Sequence, residues 1–216
     1  MPRNFLLRGL CILALACGSC AAQWELGGFG GFATTVGSSV TNAAGVSADS
    51  GFKSSWVGGA VFGNDSNDHW GGEVRYFYRA GDAKLSSGST EATFAANQQF
   101  VSFDLLYHFQ KRSAHPKARF FIAGGGGGRF IDGTGQGTAV QPLSDIAILT
   151  QGRETLGVVD FGAGVKVRMG KHTQFRVEVH DYMSPASTKV IAPVPGAHTS
   201  GWMQDIVPSA GISYTF

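Results

Sequence analysis

Apolar and polar positions alternate with a period of two along much of this chain. Val101, Phe103, Leu105, Tyr107 and Phe109 alternate with Ser102, Asp104, Leu106, His108 and Gln110. Val159, Phe161, Ala163, Val165, Val167 and Met169 alternate with Asp160, Gly162, Gly164, Lys166 and Arg168. Successive side chains of a strand point to opposite faces, so this pattern predicts strands with one apolar and one polar face. Eight such segments are predicted, at roughly 23–36, 52–63, 70–80, 98–110, 118–130, 156–169, 174–183 and 206–216. The segment 52–63 has no clear polar face. Gly211–Phe216 continues the alternation to the last residue, with Ile212, Tyr214 and Phe216 on one side. No stretch has helical periodicity.

The connections fall into two kinds that alternate strictly. Asn64–His69, Lys111–Lys117 and Gly170–Thr173 are short; Gly37–Gly51, Gly81–Asn97, Ile131–Thr155 and Ser184–Asp205 are long and rich in Gly, Ser, Thr and Pro. An up-and-down barrel crossing a membrane requires that alternation. A soluble barrel of the lipocalin type would use the same strands with the apolar face inward.

Aromatic placement favours the membrane. Trp24, Trp70, Phe109, Phe120, Phe175 and Phe216 all fall at the short-turn ends of their strands, on the apolar parity. Aromatic rings favour the headgroup interface, so the six predict a girdle. Trp70 and Tyr78, eight residues apart, bracket about 20 Å of thickness at ~3.4 Å per residue and a tilt near 40°. The expectation is an all-β fold: an eight-stranded antiparallel up-and-down transmembrane β-barrel.

The opposite face would then line the lumen. It carries the acids Glu25, Glu73, Asp104, Asp160 and Glu178 and the bases Arg75, Arg79, Arg119, Arg129, Lys166, Arg168 and Arg176. Buried charges need partners, so these residues are expected to form one network. Eight strands leave a lumen that side chains can fill. Two readings follow: a polar plug that stiffens the barrel, or a narrow gated path for ions.

Composition agrees with an envelope protein. Arg3 and Arg8, the apolar run Leu10–Ala16 and the small residues Ser19–Ala22 form a secretory signal, with cleavage before Gln23 expected. The barrel would occupy 23–216. The three cysteines, Cys11, Cys17 and Cys20, all lie in that signal, which excludes thiol chemistry from the mature chain. A lipoprotein cleaved at Cys17 or Cys20 is the alternative. Without Arg3 and Arg8 the seventeen basic residues fall to fifteen, equal to the fifteen acids, so no basic excess points to nucleic acid.

Motifs with chemical potential are few. Gly124–Gly128 looks like a phosphate loop but has strand character on both sides and no following helix, so it reads as a glycine-rich strand. The six histidines have no metal-ligand spacing along the chain, and no metal or cofactor is expected. His180 and Ser184 share the lumen parity but sit four positions apart, which does not make an acyl-transfer pair. Catalytic residues are therefore expected to be absent. Trp202, among Pro185, Pro193 and Pro195, serves either a recognition loop or, with Trp56, an outer aromatic belt.

The Gln23-Trp24-Glu25-Leu26-Gly27-Gly28 opening, the eight amphipathic strands and the Tyr214-Thr215-Phe216 ending resemble the OmpA-like outer-membrane β-barrel domain family. The resemblance implies a bacterial outer-membrane location, contact with lipid and lipopolysaccharide, and delivery by the barrel assembly machinery, with Ile212, Tyr214 and Phe216 as the assembly signal. No peptidoglycan-binding domain follows the barrel in this sequence, so the resemblance does not extend to a cell-wall tether. The function expected is structural or surface-interacting through the long loops and non-enzymatic. A small pore is the alternative, with a lipid-modifying enzyme or a lipocalin-like binder behind it.

Overall fold

The computed structural model describes residues 23–137 and 141–216. The expected signal segment and its cysteines lie outside the described residues. Thirteen strands follow along the described chain: β1 Gln23–Thr41, β2 Ser47–Phe52, β3 Ser55–Asp65, β4 Trp70–Ala80, β5 Ala83–Ser87, β6 Thr90–Phe94, β7 Ala96–His108, β8 Ala118–Gly133, β9 Ala147–Leu149, β10 Arg153–Arg168, β11 Thr173–Pro185, β12 Ile191–Pro193 and β13 His198–Thr215. Eight of them (β1, β3, β4, β7, β8, β10, β11 and β13) pair in that order, and β13 pairs back onto β1, closing a barrel. Each pairing is antiparallel.

Following one hydrogen-bonded row shows how the barrel is sheared. From Glu25 the row passes through Gly63, Glu73, Asp104, Gly125, Asp160, Tyr182 and Asp205 and returns to β1 at Thr35, ten residues from its start. Strand number and shear together set the radius, and at eight strands the interior is filled by side chains.

The alternation places each face. On β7, Phe103 and Leu105 are 54% and 56% exposed, whereas Phe100, Ser102, Asp104, Leu106 and His108 are buried. Leu26 and Phe32 on β1, Tyr76 and Tyr78 on β4 and Val177 and Val179 on β11 join the outward apolar surface. Such a belt suits hydrocarbon, and a closed barrel is one of the two backbone arrangements that can cross it. β3 lacks a polar face for a simple reason: its inward Val57 and Val61 pack with Phe29 and Phe77 in an apolar part of the lumen.

The barrel strands run further at the long-loop end than the alternation predicts. β1 reaches Thr41 and β13 begins at His198. The four long connections, expected as irregular loops, also carry strands of their own. β2, β5 and β6 extend the main sheet beyond the β1 wall, while β9 and β12 form a separate pair joining the third and fourth long connections. The β5–β6 hairpin turns on Gly88-Ser89, with Gly88 at φ 57°, the left-handed backbone that two-residue hairpins favour. These segments hold because Val40, Phe52, Leu85, Phe94, Ile131, Ile146, Leu149, Ile191 and Met203 bury one another in an apolar core of their own.

At the other end the short turns are pinned by side chains. The Asn67 side-chain carbonyl accepts bonds from the His69 and Trp70 amides, both at 2.9 Å. Asp68 accepts from the Ser113 amide at 3.0 Å and its hydroxyl at 2.7 Å, tying two turns together.

The outward face should tolerate charge poorly. Phe103→Arg, mid-strand on the lipid side, is expected to destabilise the barrel by about 2–4 kcal/mol. Ser102→Ala, its inward neighbour with an unpaired hydroxyl, is expected to be near neutral. Urea unfolding of both variants in lipid vesicles measures the contrast.

Candidate functional site

The lumen is built in layers. Nearest the short turns, Arg176 on β11 lies among three carboxylates. Its guanidinium donates to Glu25 at 3.2 Å, Glu73 at 2.9 Å and Glu178 at 2.7 Å. Arg75 on β4 bonds Glu73 at 2.5 Å and Glu178 at 2.6 Å, and Lys166 on β10 bonds Glu25 at 2.6 Å. All six side chains are buried. The bidentate reach of arginine lets a few cations bridge acids from β1, β4 and β11. Aromatic rings bracket the layer: Arg75 sits 5.1 Å from the Phe29 centroid and Lys166 5.6 Å from that of Phe121.

An aromatic layer follows. Phe77 stacks on Phe100 with centroids 4.4 Å apart, and Tyr182 leans on both. Above it, Arg79 and Arg129 share Asp205, at 2.5 Å and 2.9 Å. Thr35 donates to the same carboxylate, and Arg129 reaches the Gln98 side-chain carbonyl and the Ser184 hydroxyl. The apolar core of the long connections closes that end. It is anchored by buried Glu154, which accepts from the Ser187 hydroxyl at 2.7 Å and the Thr188 amide at 3.0 Å.

Of the lumen residues expected from parity, Glu73, Arg75, Arg79, Asp104, Asp160, Lys166, Arg176 and Glu178 are buried inside the barrel. Arg168 is a correction. It is exposed at the short-turn rim, where it donates to the carbonyls of His115 and Pro116. β10 outruns the lumen there, so its last inward position is level with a turn. Arg119 lies at the same rim, half-buried, 2.5 Å from Asp65. Asp205 falls outside the expected lumen set because the sequence pattern starts the last strand at 206, whereas β13 begins at His198. Its inward parity with Val207 and Ser209 is the signal that would have found it.

The aromatic positions lie as follows. Trp70, Phe109, Phe120, Phe175 and Phe216 are exposed on the outer wall, and Trp24 is partly covered by stacking on Phe62 at 5.1 Å. Ile212 and Tyr214 share the outward face of β13, and Phe216, just past its end, is exposed as well. Two of the turn histidines act locally: His69 and His172 bond the carbonyls of His108 and Thr215. His180 and Ser184 are both buried in the lumen in different layers, Ser184 with Arg129 and His180 with Asp160. His180, Asp104 and Asp160 converge there from β11, β7 and β10. A cavity of about 580 Å³ opens at the short-turn end, lined by Arg119, Lys166, Arg168 and Lys171 among others.

Residues 10–189 match the family model of the outer membrane protein beta-barrel domain. No curated protein matches the sequence. The Neisserial surface protein A structure superposes with a TM-score of 0.55 at 10% identity, covering 93% of this chain and 100% of that one. OprG of Pseudomonas aeruginosa gives 0.49 at 17% identity, over 92% and 98%. The N-terminal barrel of OprF from the same organism gives 0.46 at 14% identity, over 90% and 97%. At 10% identity the likeness to Neisserial surface protein A is one of fold.

Removing one shared cation should leave buried acids uncompensated. Arg176→Met is expected to cost about 3–5 kcal/mol, the usual penalty for breaking a buried ion pair from one side. Denaturant unfolding in detergent, with Arg119→Met at the half-buried rim as a milder comparison, reads the difference.

Proposed function

The chain belongs to the outer membrane protein beta-barrel domain family and is an integral protein of the bacterial outer membrane, and from that premise we propose that it is a closed, non-enzymatic barrel that holds a folded platform at the cell surface. The observation that carries this reading is the double seal of the lumen. An ion network blocks the lumen behind the cavity that opens at the short-turn end, and the apolar core of Phe52, Leu85, Phe94, Ile146, Leu149 and Ile191 fills the other end.

A platform with its own core differs from four independent loops. Its strands are fixed by the sheet they extend, so the groups it presents keep their spacing. Lys53 and Lys84 flank Glu91 at 3.0 and 3.3 Å, and Arg153 pairs with Asp132 at 2.8 Å on the outside of the cap. Such exposed pairs contribute little stability, which leaves them available for contacts. Fixed polar groups on a rigid base reduce the ordering cost of binding.

The lipid side completes the proposal. Trp56 and Trp202, both well exposed toward the long-loop end, would meet the outer leaflet and its lipopolysaccharide. Ile212, Tyr214 and Phe216 would be read by the barrel assembly machinery. The non-enzymatic reading rests on His180 and Ser184, which are shut in the lumen away from lipid.

Planar bilayer recordings test the seal. The purified protein is expected to give no conductance steps, and Glu178→Gln to stay silent; stepwise currents from the unaltered protein would establish the pore instead. Adhesion tests the platform. Bacteria displaying the protein should adhere better to host-cell or abiotic surfaces than bacteria displaying a Lys53→Ala, Lys84→Ala, Arg153→Ala triple variant. Equal adhesion at equal display would refute the surface role.

A further inference from the structure

Asp104, Asp160 and His180 offer one oxygen or nitrogen each, and these atoms lie within 4.8 Å of one another. All three side chains are fully buried. Asp104 and Asp160 both face Gly125 in the register, one from β7 and one from β10. A Cβ at Gly125 would overlap the backbone and carboxylate of Asp104, and a Cβ at Gly162 would overlap the His180 imidazole. Two glycines thus hold open the space in which three donor groups meet.

The charges around them do not balance. Glu25, Glu73 and Glu178 have Arg75, Lys166 and Arg176 as close partners. The two aspartates add two negative charges to this layer. No donor bonds either oxygen of Asp104, and Arg75 Nε stands 3.5 Å away without a hydrogen bond. Asp160 Oδ1 and His180 Nε2 are also without partners. Two adjoining buried carboxylates left in this state are strongly unfavourable. Either a proton on the pair or a bound cation must relieve them.

From this geometry we infer that Asp104, Asp160 and His180 form a site for one divalent transition-metal ion of the zinc class. Imidazole with carboxylate is a zinc donor set, and three protein ligands leave a fourth position for water. Harder ions such as calcium and magnesium take oxygen ligands. Zinc bonds of about 2.0–2.2 Å in a tetrahedral arrangement separate neighbouring donor atoms by roughly 3.3 Å. His180 Nδ1 and Asp160 Oδ2 are 3.1 Å apart, a hydrogen bond in the absence of an ion and a spacing that one ion between them also accommodates. With Nδ1 on the ion, Nε2 points toward Glu178 Oε2, 3.9 Å away and beyond hydrogen-bond reach. The ion would cancel the surplus charge and clamp β7, β10 and β11 around β8, whose Gly124–Gly128 run has no side chains to pack.

The test refolds the protein from urea with excess EDTA or with zinc, so that entry into the closed lumen is not limiting. Gel filtration and atomic absorption then give the zinc retained. The expected result is one zinc per chain and a higher unfolding temperature in the zinc-refolded sample. Asp160→Asn and His180→Gln keep side-chain shape, and each is expected to weaken zinc binding beyond the roughly 100-fold that an outer-shell loss causes. The faster migration of unboiled barrel on gels reports that each variant is folded; Asp104→Asn replaces any that is not. A His69→Ala, His115→Ala, His172→Ala triple variant should retain the zinc. The proposal is overturned if the unaltered protein holds no zinc, since protons would then neutralise the aspartates. It is overturned equally if the lumen variants bind as the parent does, or if the rim triple variant loses the metal.

Discussion

Within hydrocarbon, each unpaired backbone N–H or C=O costs several kcal/mol. That constraint forces β13 onto β1, because an open edge on either strand would leave a row of such groups in lipid. The pairing runs from Glu25–Thr215 up to Thr41–His198, with one irregularity between Val36 and Ser38. Closing eight strands with a ten-residue shear fixes a narrow radius, and the narrow radius obliges inward side chains to meet. The ion network, the aromatic layer and the capping core all follow from that enforced proximity.

Proximity selects which residues can be inward. On the row from Glu25 to Asp205, five of the eight positions carry an acid, and Arg75 stands one inward position along β4 from Glu73. Staggering the two signs lets one guanidinium bridge several carboxylates. A buried network of this kind is not by itself a large source of stability, since desolvation offsets much of the attraction. Its consequence is registry: a one-residue slip would turn each charge of a strand toward lipid. Glycines do the complementary work, since the inward face of β8 at Gly125 gives its volume to Asp104.

The cap alters the functional picture. Loops that float above a barrel would leave the lumen to be sealed by polar groups alone. Here the long connections return over the barrel mouth, and β9 and β12 bind the third connection to the fourth. Glu154 holds the turn at Ser187 and Thr188 through both carboxylate oxygens. The surface that faces outward is therefore as much a product of packing as the barrel beneath it.

Period-two alternation, the rim position of Trp70, Phe109 and Phe120, and the alternation of short and long connections made the barrel legible without coordinates. These features depend on each residue's relation to its own strand, and local order carries that information. Inward parity likewise picked out Arg75, Arg176, Glu73 and Glu178, although not that Arg176 would serve three acids. The loop strands were hidden because Ala83, Leu85, Ala92 and Phe94 sit among Gly, Ser and Thr, and short segments of this kind are strands only when a neighbour completes their sheet. The meeting of Asp104, Asp160 and His180 was hidden for a deeper reason. They are separated by tens of residues along the chain, and only the barrel's shear decides which inward positions of β7, β10 and β11 stand at one level. The sequence by itself determined strand, face and rim; the closure of the sheet decided who meets whom inside it.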